Sequence, residues 1–153
     1  MELILWRHTE AEDTYPGISD QERRLTPHGE KQAKKMAAWL CQQLPEKTRI
    51  LVSPAQRTIQ TANALKLNYR IEPAIGTTAV PADLLAAAGW PDGVDTVLLV
   101  GHQPTLGQVA ASLMTGVEMD WSVKKGAVWW LSGRIRIGKP QTVIRRVINP
   151  DML

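Results

Sequence analysis

The chain has 153 residues, a formal net charge of +3, 44% hydrophobic and 22% charged residues, and a chain of that length can bury roughly 70% of its unfolded surface in one core. No apolar stretch approaches the roughly 20 residues of a membrane helix, and Cys41, the sole cysteine, excludes an internal disulfide. The basic residues lie in scattered pairs (Arg23-Arg24, Lys34-Lys35, Lys124-Lys125, Arg145-Arg146) rather than on one face, which argues against nucleic-acid binding and leaves small anionic groups open.

The chain opens on a short apolar run, Leu3 to Trp6, read as a buried strand. Nothing before it resembles a basic leader or a cleavage site, and with one lone cysteine the expected location is the cytoplasm. Residues 9 to 24 are polar, with Pro16-Gly17 marking a loop. Thr26-Pro27 then predicts a helix start, with Thr26 as cap and Ala33, Met36, Ala37, Leu40 and Leu44 at helical spacing until Pro45.

Arg49 to Val52 is a second short strand that runs into Ser53-Pro54, read as a second capped helix start. Ala55, Ile59, Ala62 and Leu65 trace the face of that helix, and Pro81 to Ala88 predicts a short helix closed by Gly89. Thr96 to Val100 is the clearest strand, apolar throughout as in a parallel sheet, and the helix after Pro104 carries Leu106, Val109, Ala110 and Leu113. Two closing strands are expected at Ala127 to Leu131 and Thr142 to Ile148, separated by a turn region from Gly133 to Pro140. Trp129 and Trp130 must then face opposite sides of their sheet. The order predicts one α/β domain over residues 1–153: three layers, α/β/α, with a mainly parallel sheet and an antiparallel element near the C-terminus.

Three of these strands end in groups suited to phosphate. The first leads into Arg7-His8-Thr9, the second into Ser53-Pro54 with Arg57 in the following turn, and the third into Gly101-His102-Gln103-Pro104. Ligands of open α/β sheets bind beyond the carboxyl ends of the strands, where helix N-termini add free N–H groups. Alone, each residue has a plainer role: a solvated strand end for Arg7-His8, a polar cap for His102, a surface position for Arg57. Their joint placement after three strands points to a phosphate pocket. Guanidiniums clamp phosphate oxygens in forked geometry. A histidine nucleophile must be neutral, and Arg7 and Arg57 nearby are expected to depress the pKa of His8. His8 is therefore the expected nucleophile, with Arg7, Arg57 and His102 stabilising the transferring phosphoryl group.

Arg7-His8-Thr9, the Ser53-Pro54-x-x-Arg57-x-x-x-Thr61-Ala62 segment and Gly101-His102-Gln103-Pro104 together resemble the signatures of the histidine phosphatase superfamily, the phosphoglycerate mutase-like fold. Arg23-Arg24-Leu25-Thr26-Pro27-x-Gly29 and the short length are most similar to its SixA-type phosphohistidine phosphatases. The resemblance implies a phosphohistidine intermediate on His8, a pocket of Arg7, Arg57 and His102, and Arg23 as a substrate contact. Thr9 stands where many members have glycine, which implies a locally different loop. Larger members carry a Glu or Asp as proton donor after the second helix. Of Glu72, Asp83 and Asp92, Asp83 is the best match and is also an ordinary first-turn helix residue. Without such an acid, P–N bonds are the expected substrate, because a released imidazole is neutral whereas an alkoxide needs a proton. Ser53 is expected to cap its helix rather than act in catalysis.

The expected function is therefore a monomeric phosphatase acting on a phosphorylated substrate, such as a His-phosphorylated signalling protein. The alternatives are a phosphomonoesterase for a small metabolite and, from another class, a non-catalytic phosphate-binding regulatory module. No metal and no cofactor are expected, since His8, His28 and His102 lack ligand-like spacing, and His28 reads as exposed.

Overall fold

A computed structural model describes residues 1–153. The first strand, β1 (Glu2–Arg7), is followed by α1 (Pro27–Gln43), β2 (Thr48–Val52), α2 (Gln56–Asn63), β3 (Arg70–Ile71), α3 (Pro81–Ala88), β4 (Thr96–Gly101), α4 (Thr105–Thr115), β5 (Val128–Arg136) and β6 (Lys139–Ile148). They form one six-stranded sheet in the order β3-β2-β4-β1-β5-β6. The pairs β3/β2, β2/β4 and β4/β1 are parallel, whereas β5 runs antiparallel to β1 and β6 to β5. The expected mainly parallel sheet with an antiparallel C-terminal element is what forms.

Strand alternation sorts the apolar residues into two cores. Leu3 and Leu5 of β1, Val97 and Leu99 of β4 and Leu51 of β2 pack with α3 and α4 on one face. Ile4, Trp6, Leu98, Val100, Ile50 and Val52 pack with α1 and α2 on the other. Central strands covered on both faces read as continuous apolar runs, which is why β1, β2 and β4 were visible in the sequence. Thr26 caps α1 as expected, its Oγ1 accepting from the Gly29 N–H at 2.9 Å. Gly89 closes α3 in the left-handed conformation at φ 74°. Trp129 and Trp130 do face opposite cores.

Two expectations change. The closing strands are longer than their apolar stretches, and the turn between them shrinks from Gly133–Pro140 to Ile137 and Gly138, both at positive φ. Arg134, Arg136, Lys139 and Gln141 sit in the ladder with exposed side chains, so backbone pairing extends the hairpin where no hydrophobic pattern marks it. The two-residue β3 is exposed and gives no periodic signal at all.

β4 lies between β2 and β1, and this sets the three loaded strand ends abreast. Arg7 pairs with Gly101, and Val52 with Val100. The ladder continues one residue further, with the His8 N–H donating to Gly101 O at 3.2 Å and the Ser53 N–H to Val100 O at 3.1 Å.

Candidate active site

The chain leaves β1 through a loop that is locked from several directions. Thr9 is fully buried; its N–H donates to Thr61 Oγ1 at 3.2 Å and its hydroxyl donates to Gly29 O at 2.7 Å. Gly29 has to be glycine, because a Cβ there would lie 2.0 Å from Glu10 O. Gly126 holds the other side at φ +75°, its N–H donating to His8 O at 3.0 Å. Thr9 itself does not have a positive φ, so the turn needs none of glycine's freedom. The threonine is an added anchor, not a distortion.

This lock decides the tautomer of His8. His8 Nδ1 lies 2.7 Å from Thr9 O, and a carbonyl can only accept, so the proton sits on Nδ1. Nε2 is left with its lone pair. The ring of His102 lies beside it, centroid to centroid 5.5 Å. His8 and His102 are 7% and 6% exposed, at the floor of the site and yet reachable from the surface.

Ser53 does not cap α2. That helix starts at Gln56 with Ala55 as its cap residue, and Ser53 Oγ instead lies 2.7 Å from His102 Nε2. No side chain caps this helix start, and the Thr58 hydroxyl ties it to the loop before it, sharing its proton between the carbonyls of Ser53 and Ala55 at 2.8 Å each. His102 Nδ1 is buried and has no partner in the protein.

The same is true of the arginines. Arg7 is anchored by one terminal nitrogen donating to Val123 O at 2.9 Å, and Arg57 by both of its terminal nitrogens, which donate to Asp20. The Nε atoms of both arginines are buried without a partner. Buried polar groups are almost always hydrogen-bonded. Apart from Glu2 Oε2 and Trp130 Nε1, every side-chain nitrogen or oxygen buried without a partner belongs to Arg7, Arg57 or His102. All three residues act on His8: the His102 ring lies 5.5 Å from it, and the charges of Arg57 and Arg7 bear on it. The expected residues Arg7, His8, Arg57 and His102 are thus brought together.

Both rings are held neutral. The His8 pKa is pushed down from 6.5 to about 3, chiefly by burial, against the opposing bond to Thr9 and with help from His102, Arg57 and Arg7. The arginines lower it as expected, and burial is the larger cause. His102 is pushed down from 6.5 to about 4 by burial and then Arg57, with the Asp20 carboxylate opposing. Below about pH 6.5 the unfolded chain binds protons that the native rings refuse. Stability is therefore present above that pH and is lost on acidification, by about 1.4 kcal/mol per pH unit per histidine. Thermal unfolding should show Tm falling between pH 6.5 and 5, with a clearly shallower fall in His102→Asn. Equal slopes in wild type and variant would contradict the buried neutral pair.

Arg23 is placed at the rim, its Nε donating to Glu12 O at 2.7 Å and one terminal nitrogen to Asp20 Oδ1 at 3.1 Å. Asp83 is turned away: its carboxylate accepts from the N–H of Val80 at the start of its own helix at 2.9 Å. Glu72 pairs with Arg70 and caps the turn at Ala74. Asp92 lies in the turn that leads into the opposite end of β4. None of the three matches a proton donor. His28 is exposed, and no cluster of His, Cys, Asp or Glu could hold a metal ion.

Sequence reasoning passed over Asp20. It lies in a 3-10 turn, Asp20–Glu22, inside the polar stretch read as loop. The signal was present in the spacing of Ser19 and Glu22, and the Ser19 N–H and hydroxyl both donate to Glu22 Oε1. That turn sets Asp20 and Arg23 on one side, three residues apart.

A parallel-sheet crevice with a neutral, correctly protonated histidine and a set of converging cationic donors defines a phosphoryl-transfer site. The comparisons agree. The model of the histidine phosphatase superfamily (branch 1) matches residues 3–77. Phosphohistidine phosphatase SixA of Escherichia coli (strain K12) is 33% identical over 76% of this chain and 76% of its own length. A SixA homolog of Haemophilus influenzae is 36% identical over 74% and 77%. The solved structure of the protein histidine phosphatase SixA complexed with tungstate superposes with a TM-score of 0.81 at 26% identity, covering 99% of each chain. This chain belongs to the histidine phosphatase superfamily.

Proposed function

We propose that this protein is a phosphatase that removes phosphoryl groups from phosphohistidine in proteins, through a phosphohistidine of its own on His8. The observation that carries the reading is that the residues acting on the buried His8 ring, Arg7, Arg57 and His102, each keep a buried nitrogen without a partner, with the His102 ring 5.5 Å from that of His8. The relatives named SixA act in the same direction, and one of them binds tungstate, a tetrahedral oxyanion.

In the first step His8 Nε2 attacks phosphorus in line and the substrate P–N bond breaks. The substrate's distal ring nitrogen has taken a proton from solvent, so imidazole departs neutral. His8 keeps its Nδ1 proton on Thr9 O, so the phosphorylated ring is cationic and is itself a good leaving group. In the second step water attacks, the His8–phosphorus bond breaks and both water protons leave on inorganic phosphate. Arg7 and Arg57 neutralise the charge on the equatorial oxygens in both steps, and the neutral His102 ring contributes as a polar neighbour.

The carboxylates on offer support a P–N substrate. A general acid is worth about 10²–10⁴ in rate for an alkoxide leaving group, and Glu72, Asp83 and Asp92 are engaged or sited elsewhere. The expected outcome is a kcat/KM for a phosphohistidine peptide at least about 100-fold above that for the matching phosphoserine peptide. Comparable values would reject the P–N assignment and favour the small phosphomonoesterase. We also place the reaction in the cytoplasm, in keeping with the single free Cys41, and in a monomer, since one chain supplies every donor. No helix is long and apolar enough to cross a membrane.

A further inference from the structure

We propose that Asp20 is a positioning residue that holds Arg57 by its far end, so that the Nε edge of the guanidinium is presented to the phosphoryl group. The proposal deepens the phosphatase reading and rests on it. Arg57 is 4% exposed, and a buried guanidinium without an orienting partner would share its five donors among several rotamers. Asp20 removes that freedom. Its carboxylate Oδ2 accepts from one terminal nitrogen at 3.0 Å, and its backbone carbonyl accepts from the other at 2.7 Å. Each terminal nitrogen is thus tied by one of its N–H groups, and Nε, buried and unpartnered, stays free for the substrate together with the remaining N–H beside it.

The second carboxylate oxygen does related work. Asp20 Oδ1 accepts from Arg23 at 3.1 Å, so one carboxylate bridges the arginine of α2 and the arginine of the rim. Arg23 is held in turn by Glu12 O at 2.7 Å. The 3-10 turn is in this way a brace that links Arg23 to Arg57. Arg23, expected as a direct substrate contact, also reaches the site through Asp20.

Two other roles for Asp20 are weighed against this one. As a general acid it would have to be protonated near neutral pH. Burial does raise its pKa, yet hydrogen bonds from Arg23 and Arg57 outweigh that and hold the carboxyl below its ordinary value. It is an anion paired with two cations, and it has no proton to give. As a competitor for the anion it would have to take the edge that phosphate needs. It takes the opposite end, and half its contact is a main-chain carbonyl that no substrate can displace without moving the turn.

The test is a double-mutant cycle read by steady-state kinetics and by calorimetric binding of inorganic phosphate. Asp20 is half exposed, so its variants should fold, which Tm would verify. Asp20→Ala should lower kcat/KM about 10- to 100-fold and weaken phosphate binding, whereas Asp20→Asn, whose amide oxygen can still accept from Arg57, should recover most of both. In an Arg57→Lys background, Asp20→Ala should have little further effect. An equal loss in both backgrounds would overturn the proposal by showing a brace that acts only on the loop. Tighter phosphate binding in Asp20→Ala would overturn it in favour of a competing carboxylate. Loss of the basic limb of the pH profile in Asp20→Asn would overturn it in favour of a proton donor. If wild type turns over no phosphorylated compound, the functional reading fails, and the phosphate-binding arm still decides the role of Asp20.

Discussion

His8→Ala should abolish turnover, by about 10⁴-fold or more, while leaving inorganic phosphate able to bind. The magnitude follows from what the ring provides. Removing a covalent nucleophile costs far more than removing any one stabilising contact, because the two-step path is lost with it. No neighbour is placed to take over, since His102 Nε2 is engaged with Ser53 at 2.7 Å. The donors that grip phosphate belong to other residues, Arg7, Arg57 and His102, and each is anchored independently of His8 through Val123, Asp20 and Ser53. Phosphate affinity within about tenfold of wild type, with turnover gone, is therefore the expected pattern. Residual turnover above one per cent would mean that another group attacks phosphorus. A non-catalytic binding module would show no turnover even in wild type.

Arg57→Ala should lower kcat by about 10²–10³-fold, or about 2.7–4 kcal/mol of transition-state stabilisation. Arg57 is the most buried cation of the site, so its charge acts where water screens it least. Its contribution to stability is smaller. The pair with Asp20 joins a buried guanidinium to a half-exposed carboxylate, and a partly solvated pair of this kind is worth about 1 kcal/mol or less. Activity should thus fall far more than stability, a split that kcat and Tm measured on the same preparation would expose. Arg57→Lys should recover little, since an ammonium cannot fill a two-point contact with Asp20 and present a further N–H edge at once. Full recovery by lysine would mean that only charge matters at this position and would undermine the geometry described for Nε.

The parts of this site that could be read from the chain were those tied to buried strands. β1, β2 and β4 carry apolar runs, Leu3 to Trp6, Ile50 to Val52 and Val97 to Val100, that break abruptly into Arg7-His8, Ser53 and Gly101-His102, so pattern and chemistry coincide at each boundary. What lay hidden depended on contacts far apart in sequence. Ser53 looked like a cap because serine before proline usually is one, and its real partner is 49 residues away. Asp20 sits 37 residues from Arg57, in a polar stretch with no apolar face to mark how it folds back. Thr9 looked like a departure from glycine, and only the packing of Thr61 and Gly29 around it explains why a buried threonine is an asset there. The hairpin of β5 and β6 was underestimated for a related reason. Its outer half is held by backbone pairing between exposed residues, and hydropathy cannot report that.

The tautomer of His8 is where local structure meets chemistry. A single 2.7 Å bond to the carbonyl of Thr9 fixes which nitrogen attacks and which keeps the proton. Rapid acid-free quenching of the enzyme with a ³²P-labelled phosphohistidine substrate, followed by peptide mapping, tests this most directly. Label on residue 8, stable in base, labile in acid and attached at Nε2, is the predicted result. Label on any other residue, or attachment at Nδ1, would contradict it.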